Sequence, residues 1–228
     1  MKLSKKDWLN LPVVALLAAN AIPLFGVLFL NWDAFYVVLL YWTENIVVGF
    51  YNVLKMMFAA VPRPVAHLGK LFLIPFFIVH YGGFTAIHGF FVLALFHKDA
   101  QGPPMGGTDW PCFLVFVQML FNVIRYMYSV IPPQVRFAVL ALFISHGVSF
   151  VQNYLIKREY TTAKPDKLMG SPYGRVVVMH IAILAGGFLT MAVGSPAPLL
   201  VVLIGLKTIL DVNLHNREHK KAATRDQL

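Results

Sequence analysis

The sequence predicts an all-α integral membrane bundle: six transmembrane helices plus one interfacial or re-entrant helix, with seven full spans as the alternative. Three observations carry this expectation. The 228 residues are 58% hydrophobic and only 13% charged, with a mean hydropathy of +0.68, whereas soluble domains carry about a quarter charged residues. The charges are segregated into the N-terminus, a few short loops, residues 157–175 and the tail. Between them lie apolar runs close to the roughly 20 residues a helix needs to cross a bilayer.

Membrane helices are expected near residues 11–30, 34–60, 69–96, 135–156, 174–194 and 197–216, forming one transmembrane domain with a basic tail over 217–228. The first has the look of a signal peptide, with Lys2, Lys5 and Lys6 ahead of an apolar stretch and then Ala19-Asn20-Ala21. It is read here as a retained anchor. Turn chemistry separates the others: Asn31-Trp32-Asp33, Pro62-Arg63-Pro64, Gly102-Pro103-Pro104, Pro132-Pro133 and Ser195-Pro196. Trp8, Trp32 and Trp110 sit near helix ends, where amphipathic rings favour the headgroup level.

Charge asymmetry decides how the apolar stretch 110–131 is read. With six spans and both termini cytoplasmic, fifteen basic residues fall inside, Arg175 among them, against Lys98, Arg125 and Arg136 outside. Seven spans would put one of the basic clusters on the wrong side of the membrane. Gln118, Asn122 and Arg125 also make 110–131 the most polar of the candidates, as an interfacial helix should be. The net charge of +9 is accordingly assigned to loops beside anionic lipid, and nucleic acid is not expected as a partner. Cys112 is the single cysteine, which excludes an intrachain disulfide and a thiolate metal cluster.

Ionisable groups inside lipid are costly and normally face a bundle interior. In the second helix Tyr41, Glu44, Asn45, Asn52 and Lys55 share an arc of about 100°, with Glu44 deepest; a structural role, protonated or paired with a cation from another helix, is the plainer alternative. His80 and His88, in HYGGFTAIHG, are about 80° and about 12 Å apart, so they cannot grip one ion from a regular helix. Gly82, Gly83 and Gly89 leave room for a close helix neighbour. Ser145 and His146 are adjacent on the helix at 135–156, and His180 follows Pro172-Tyr173-Gly174-Arg175 in the next. In the last helix Asp211 and His215 stand at i, i+4, the spacing by which one helical face grips an ion, although Lys207 is equally placed to neutralise Asp211. Each residue alone has a packing explanation. Together His80, His88, His146, His180, Asp211 and His215 form a ligand set suited to Zn²⁺, or to iron or manganese. Haem fits less well, because the 80/88 spacing lacks the paired-histidine pattern of two-haem membrane cytochromes.

The strings YWTENIVVGFYNVLKM, HYGGFTAIHGFF, SHGVSF, PYGRVVVMHI and LKTILDVNLH resemble a family of bacterial membrane proteins known only as a domain of unknown function. The resemblance runs from about Tyr41 to His215 and implies the bacterial inner membrane, but no activity. A looser analogy links the chain to seven-span hydrolases of the alkaline ceramidase and adiponectin-receptor type, which resemble it in setting Ser, Asp and three His around a zinc. Ser145, His146, His180, Asp211 and His215 would supply that chemistry. The chain departs from that type in having Asp211-x-x-x-His215 where an H-x-x-x-H pair is expected. The functional expectation is therefore a buried His/Glu/Asp site binding a divalent metal, used for hydrolysis of a lipid-like substrate. Glu44 or Asp211 would act as general base, with Glu44 and Ser145 the candidate catalytic residues. An ion or proton transporter, or an accessory subunit within a homo-oligomer or larger membrane complex, is the alternative.

Overall fold

The computed structural model describes residues 25–61, 64–96, 109–195 and 197–225. These residues are mostly helical and contain no strand. Most of the expected first span, 11–30, lies outside the described residues. The rest follows the apolar segments closely: α1 spans Ala34–Phe58, α2 Pro64–Phe96, α3 Val115–Val130 and α4 Pro133–Ser149. After them come α5 (Pro165–Gly170), α6 (Tyr173–Ile181), α7 (Gly187–Val193) and α8 (Ala197–Arg225).

Five helical segments are long and apolar enough to cross a membrane: Ala34–Phe58, His67–Leu95, Cys112–Val130, Pro133–Ile156 and Pro165–Val193. Cys112–Val130, the stretch expected at the interface, meets this criterion as fully as the others do. The segments are not uniformly α-helical. Wider π-type turns follow α4 over Phe150–Ile156 and join α6 to α7 over Ala182–Gly186. Gly194 ends α7 in the left-handed region, at φ 73°, where a residue without Cβ is unstrained; its N–H closes on Thr190 O at 2.8 Å.

The chain divides into two compact units, Phe35–Val176 and the sequence flanking it on either side. In the first unit α2 packs along α3. The glycines of α2 make that approach possible: a Cβ on Gly83 would meet Phe116 at 3.3 Å, and one on Gly82 would meet Leu120 at 3.4 Å. Helices in lipid gain no hydrophobic drive from meeting each other, so small residues that admit close packing matter more than they do in water. Two apolar clusters lie in the core of this unit. One joins Val47 and Tyr51 of α1 to Phe150 and Tyr154. The other joins Met56 of α1 to Phe77 and Tyr81 of α2 and to Val176 of α6. In the flanking unit α8 packs on the π turn Ala182–Gly186, where Gly186 lies against Leu199.

Polar tethers tie α1 to its neighbours at every level. Buried Trp42 donates its indole N–H to Thr85 O at 2.7 Å. Tyr81 OH donates to Asn45 O at 2.9 Å and Tyr51 OH to Phe143 O at 3.0 Å. Tyr154 OH donates to Lys55 O at 2.6 Å, and Asn52 donates its amide to Leu168 O at 2.9 Å. At the C-terminus of α1, buried Lys70 donates to the carbonyls of Met57 and Ala59, a cation on the negative end of a helix dipole. A large set of apolar side chains points outward, including Phe72, Phe116, Phe121, Phe137, Leu140 and Ile144. That is the surface a lipid solvent requires.

Trp42 fits only because Gly89 stands opposite, where an added Cβ would come within 2.6 Å of the indole. Overpacking of this kind costs about 1–3 kcal/mol. Gly89→Val is therefore expected to lower the thermal midpoint of the detergent-solubilised protein by several degrees; an unchanged midpoint would contradict the packing.

Candidate functional site

The polar stripe read on α1 points inward. Asn45 and Asn52 are buried, and the Glu44 side chain is only 14% exposed. Glu44 sits near the middle of α1, where a bare carboxylate is most costly. Arg175 of α6 neutralises it: Nη1 donates to Glu44 Oε1 at 2.7 Å across 131 residues of sequence. His146 of α4 approaches the same oxygen, with Nε2 at 4.0 Å. One carboxylate oxygen thus faces a guanidinium and an imidazole from two different helices.

Each partner is held in place by its surroundings. His146 stacks on the Tyr51 ring, with centroids 6.4 Å apart and planes 20° from parallel. Tyr51 runs along α4 between its hydrogen bond at Phe143 O and Gly147, where an added Cβ would come 2.6 Å from the phenolic oxygen. Phe143, His146, Gly147 and Phe150 repeat at i, i+3, i+4, i+7, so one face of α4 meets α1. Arg175 lies within the apolar segment Pro165–Val193, although the sequence groups it with the loop cations. Two residues before it, Tyr173 OH pairs with His80 Nδ1 at 2.8 Å. Tyr173 also stands edge-on to Tyr81, centroids 5.8 Å apart, and Tyr81 in turn reaches Asn45 O next to Glu44.

Of the residues singled out in the sequence, the fold brings Glu44 and His146 together. His80 and His88 separate: His80 is exposed and engaged with Tyr173, and His88 is buried. Ser145 is exposed and makes no side-chain hydrogen bond among the described residues. His180 is exposed on α6 and belongs, with Asp211 and His215, to the flanking unit. α8 continues through Asp211 and His215, but their side chains lie outside the described residues. Among the described residues no three His, Cys, Asp or Glu side chains gather closely enough to hold a metal ion. At Glu44 a divalent cation would in addition stand against the Arg175 guanidinium.

Arg175, Tyr173, Tyr51 and Tyr81 are the members of this network that sequence reasoning missed as partners. The string PYGR at the head of α6 was the available signal, since an arginine there stands at the edge of an apolar segment with no acidic neighbour at i±3 or i±4.

A family of unknown function, DUF6498, matches residues 2–228. The chain belongs to this family. The match of this DUF6498 protein spans the Glu44–Arg175–His146 cluster and α8 alike. No curated protein and no solved structure matches it.

Removing one partner of a buried pair strands the other charge, at a cost of about 3–5 kcal/mol. With both side chains partly exposed here, Arg175→Ala is expected to cost about 3 kcal/mol. Replacing both partners, as Glu44→Gln with Arg175→Met, should cost less than Arg175→Ala alone. Unfolding titrations of the wild type, Glu44→Gln, Arg175→Met and the double variant in mixed micelles measure the coupling, and additive losses would refute it.

Proposed function

We propose that this DUF6498 protein is an integral membrane protein that handles protons at the Glu44–Arg175–His146 cluster, as a carrier or conduit. It would act in the bacterial inner membrane with both termini cytoplasmic and lipid as its immediate partner. The observation that carries the reading is a single carboxylate oxygen at 2.7 Å from a guanidinium and 4.0 Å from an imidazole inside an apolar bundle. Titratable chains at such depth mark proton and ion pathways.

The chemistry follows from charge count. With His146 neutral, Glu44 and Arg175 cancel and the cluster carries no net charge. Protonating His146 adds a second cation competing for the same oxygen, at a separation that a small rotamer change closes to hydrogen-bond length. Arg175 then shares its counter-ion and its hold on α1 weakens. Proton uptake is in this way coupled to how firmly α6 and α4 grip α1. Imidazole is the side chain whose charge changes most readily near neutral pH.

Purified protein reconstituted into liposomes with an internal pH dye tests this under an imposed potassium diffusion potential. Proton flux above that of protein-free vesicles is expected, falling at least tenfold in Glu44→Gln and His146→Gln. Flux no greater than in protein-free vesicles would sink the proposal and leave the cluster as a structural clamp.

A second reading keeps the divalent metal, as Zn²⁺ or as iron or manganese, and with it hydrolysis of a lipid-like substrate. Its support is the unbroken course of α8, which keeps Asp211 and His215 one turn apart. Elemental analysis of the detergent-purified protein should then find near-stoichiometric metal that disappears in Asp211→Asn/His215→Ala. Metal absent from both samples removes this reading.

A further inference from the structure

On the side of α2 that carries His80 runs a groove of about 620 Å³, lined by α2 from Leu71 to Ile87 and by Phe113 and Phe116. Sixteen residues of rise make it about 24 Å long. Five phenylalanines line it: Phe72, Phe76 and Phe84 from α2, and Phe113 and Phe116, the last beside Gly83. The lining contains no charged side chain, and its one titratable or strongly polar member is His80, near the middle of its length.

The tautomer of His80 follows from its partner. The one hydrogen bond of the Tyr173 hydroxyl among the described residues is to His80 Nδ1, at 2.8 Å. A phenol is the stronger acid of the two, so its proton is donated to Nδ1. The imidazole hydrogen then sits on Nε2, where it has no acceptor among the described residues. Phe76 stacks on the imidazole at 5.1 Å and Phe84 meets it edge-on at 5.0 Å. An N–H donor is thus fixed between aromatic rings in an apolar groove, with no water in hydrocarbon to satisfy it.

We propose that this groove binds a neutral membrane quinone, its ring among Phe76, Phe84 and Phe116, one carbonyl accepting from His80 Nε2, and its apolar tail lying along the remaining length. The lining selects this chemistry. A fatty acid carboxylate or a phospholipid phosphate would enter without a counter-cation, whereas a quinone needs one donor and flat apolar walls. Tyr173 fixes the donor and so acts as a positioning residue. The proposal rests on the groove and not on the Glu44 cluster, and its test reads binding alone.

The experiment measures binding of tritiated decylubiquinone to the full chain in lipid nanodiscs, with empty nanodiscs giving the partition background. A saturable component is expected, displaced by unlabelled decylubiquinone and not by oleate. His80→Leu should weaken it about tenfold, and His80→Gln, which keeps an N–H donor, should retain most of it. Tyr173→Phe removes the hydroxyl that sets the tautomer and should weaken binding while leaving the ring contacts. Gly83→Leu, which fills the groove beside Phe116, should abolish the component; native-like elution and thermal midpoint identify the variants that have folded. Three results would each overturn the proposal: no saturable component in the wild type, displacement by oleate as effective as by quinone, or affinity unchanged in a folded His80→Leu protein.

Discussion

A carboxylate set at the middle of an apolar helix has to be neutralised, and the Glu44–Arg175 contact is how this chain does it. In water such a pair is worth little, because both ions are already solvated. Among helices apolar enough to face lipid, the alternatives to pairing are a bare charge in hydrocarbon or a protonated acid, so an ionised Glu44 makes the partner's position a structural requirement. The pair joins α1 to α6 across 131 residues. Its oxygen also faces His146, which ties the α4 face carrying Phe143 and Phe150 into the same arrangement.

The remaining tethers obey the same constraint with neutral groups. The hydroxyls of Tyr51, Tyr81 and Tyr154, the Trp42 indole and the Asn52 amide each donate to a backbone carbonyl of another element. A large ring with one polar tip suits this role, since the body packs apolar and the tip finds an acceptor. Glycine is the necessary complement. Gly89 admits Trp42 and Gly147 admits Tyr51, and in each case the bulky partner ends in a hydrogen bond that a longer separation would break.

This design leaves two chemically different places in the same unit. The Glu44 cluster is half-buried and ionic. The groove along α2 is open and apolar, with a single imidazole. Tyr173 and Tyr81 stand between them: Tyr173 holds His80 and packs edge-on against Tyr81, whose hydroxyl is bonded beside Glu44. A proton-handling cluster and a groove suited to a quinone are a coherent pair of readings, because a quinone's reduction and oxidation consume and release protons. Each still stands on its own observations.

Sequence alone determined the class of fold, because apolar run length and charge segregation follow from the solvent and need no knowledge of neighbours. It also determined which face of α1 turns inward: Tyr41, Glu44, Asn45, Asn52 and Lys55 share one arc at 100° per residue, and Asn45 and Asn52 are indeed buried. The same reasoning found the role of Gly82 and Gly83 in admitting a neighbouring helix. It could not choose partners. His80 and His88 lie within about 80° of each other on α2, yet one lines an exposed groove beside Tyr173 and the other is buried. Arg175 reads as a loop cation until α6 is laid beside α1, when it becomes the counter-ion of Glu44. Periodicity fixes the angular position of a side chain on its own helix. Which residue it meets depends on the axial offset and crossing of two helices far apart in the chain, and only the tertiary structure sets those.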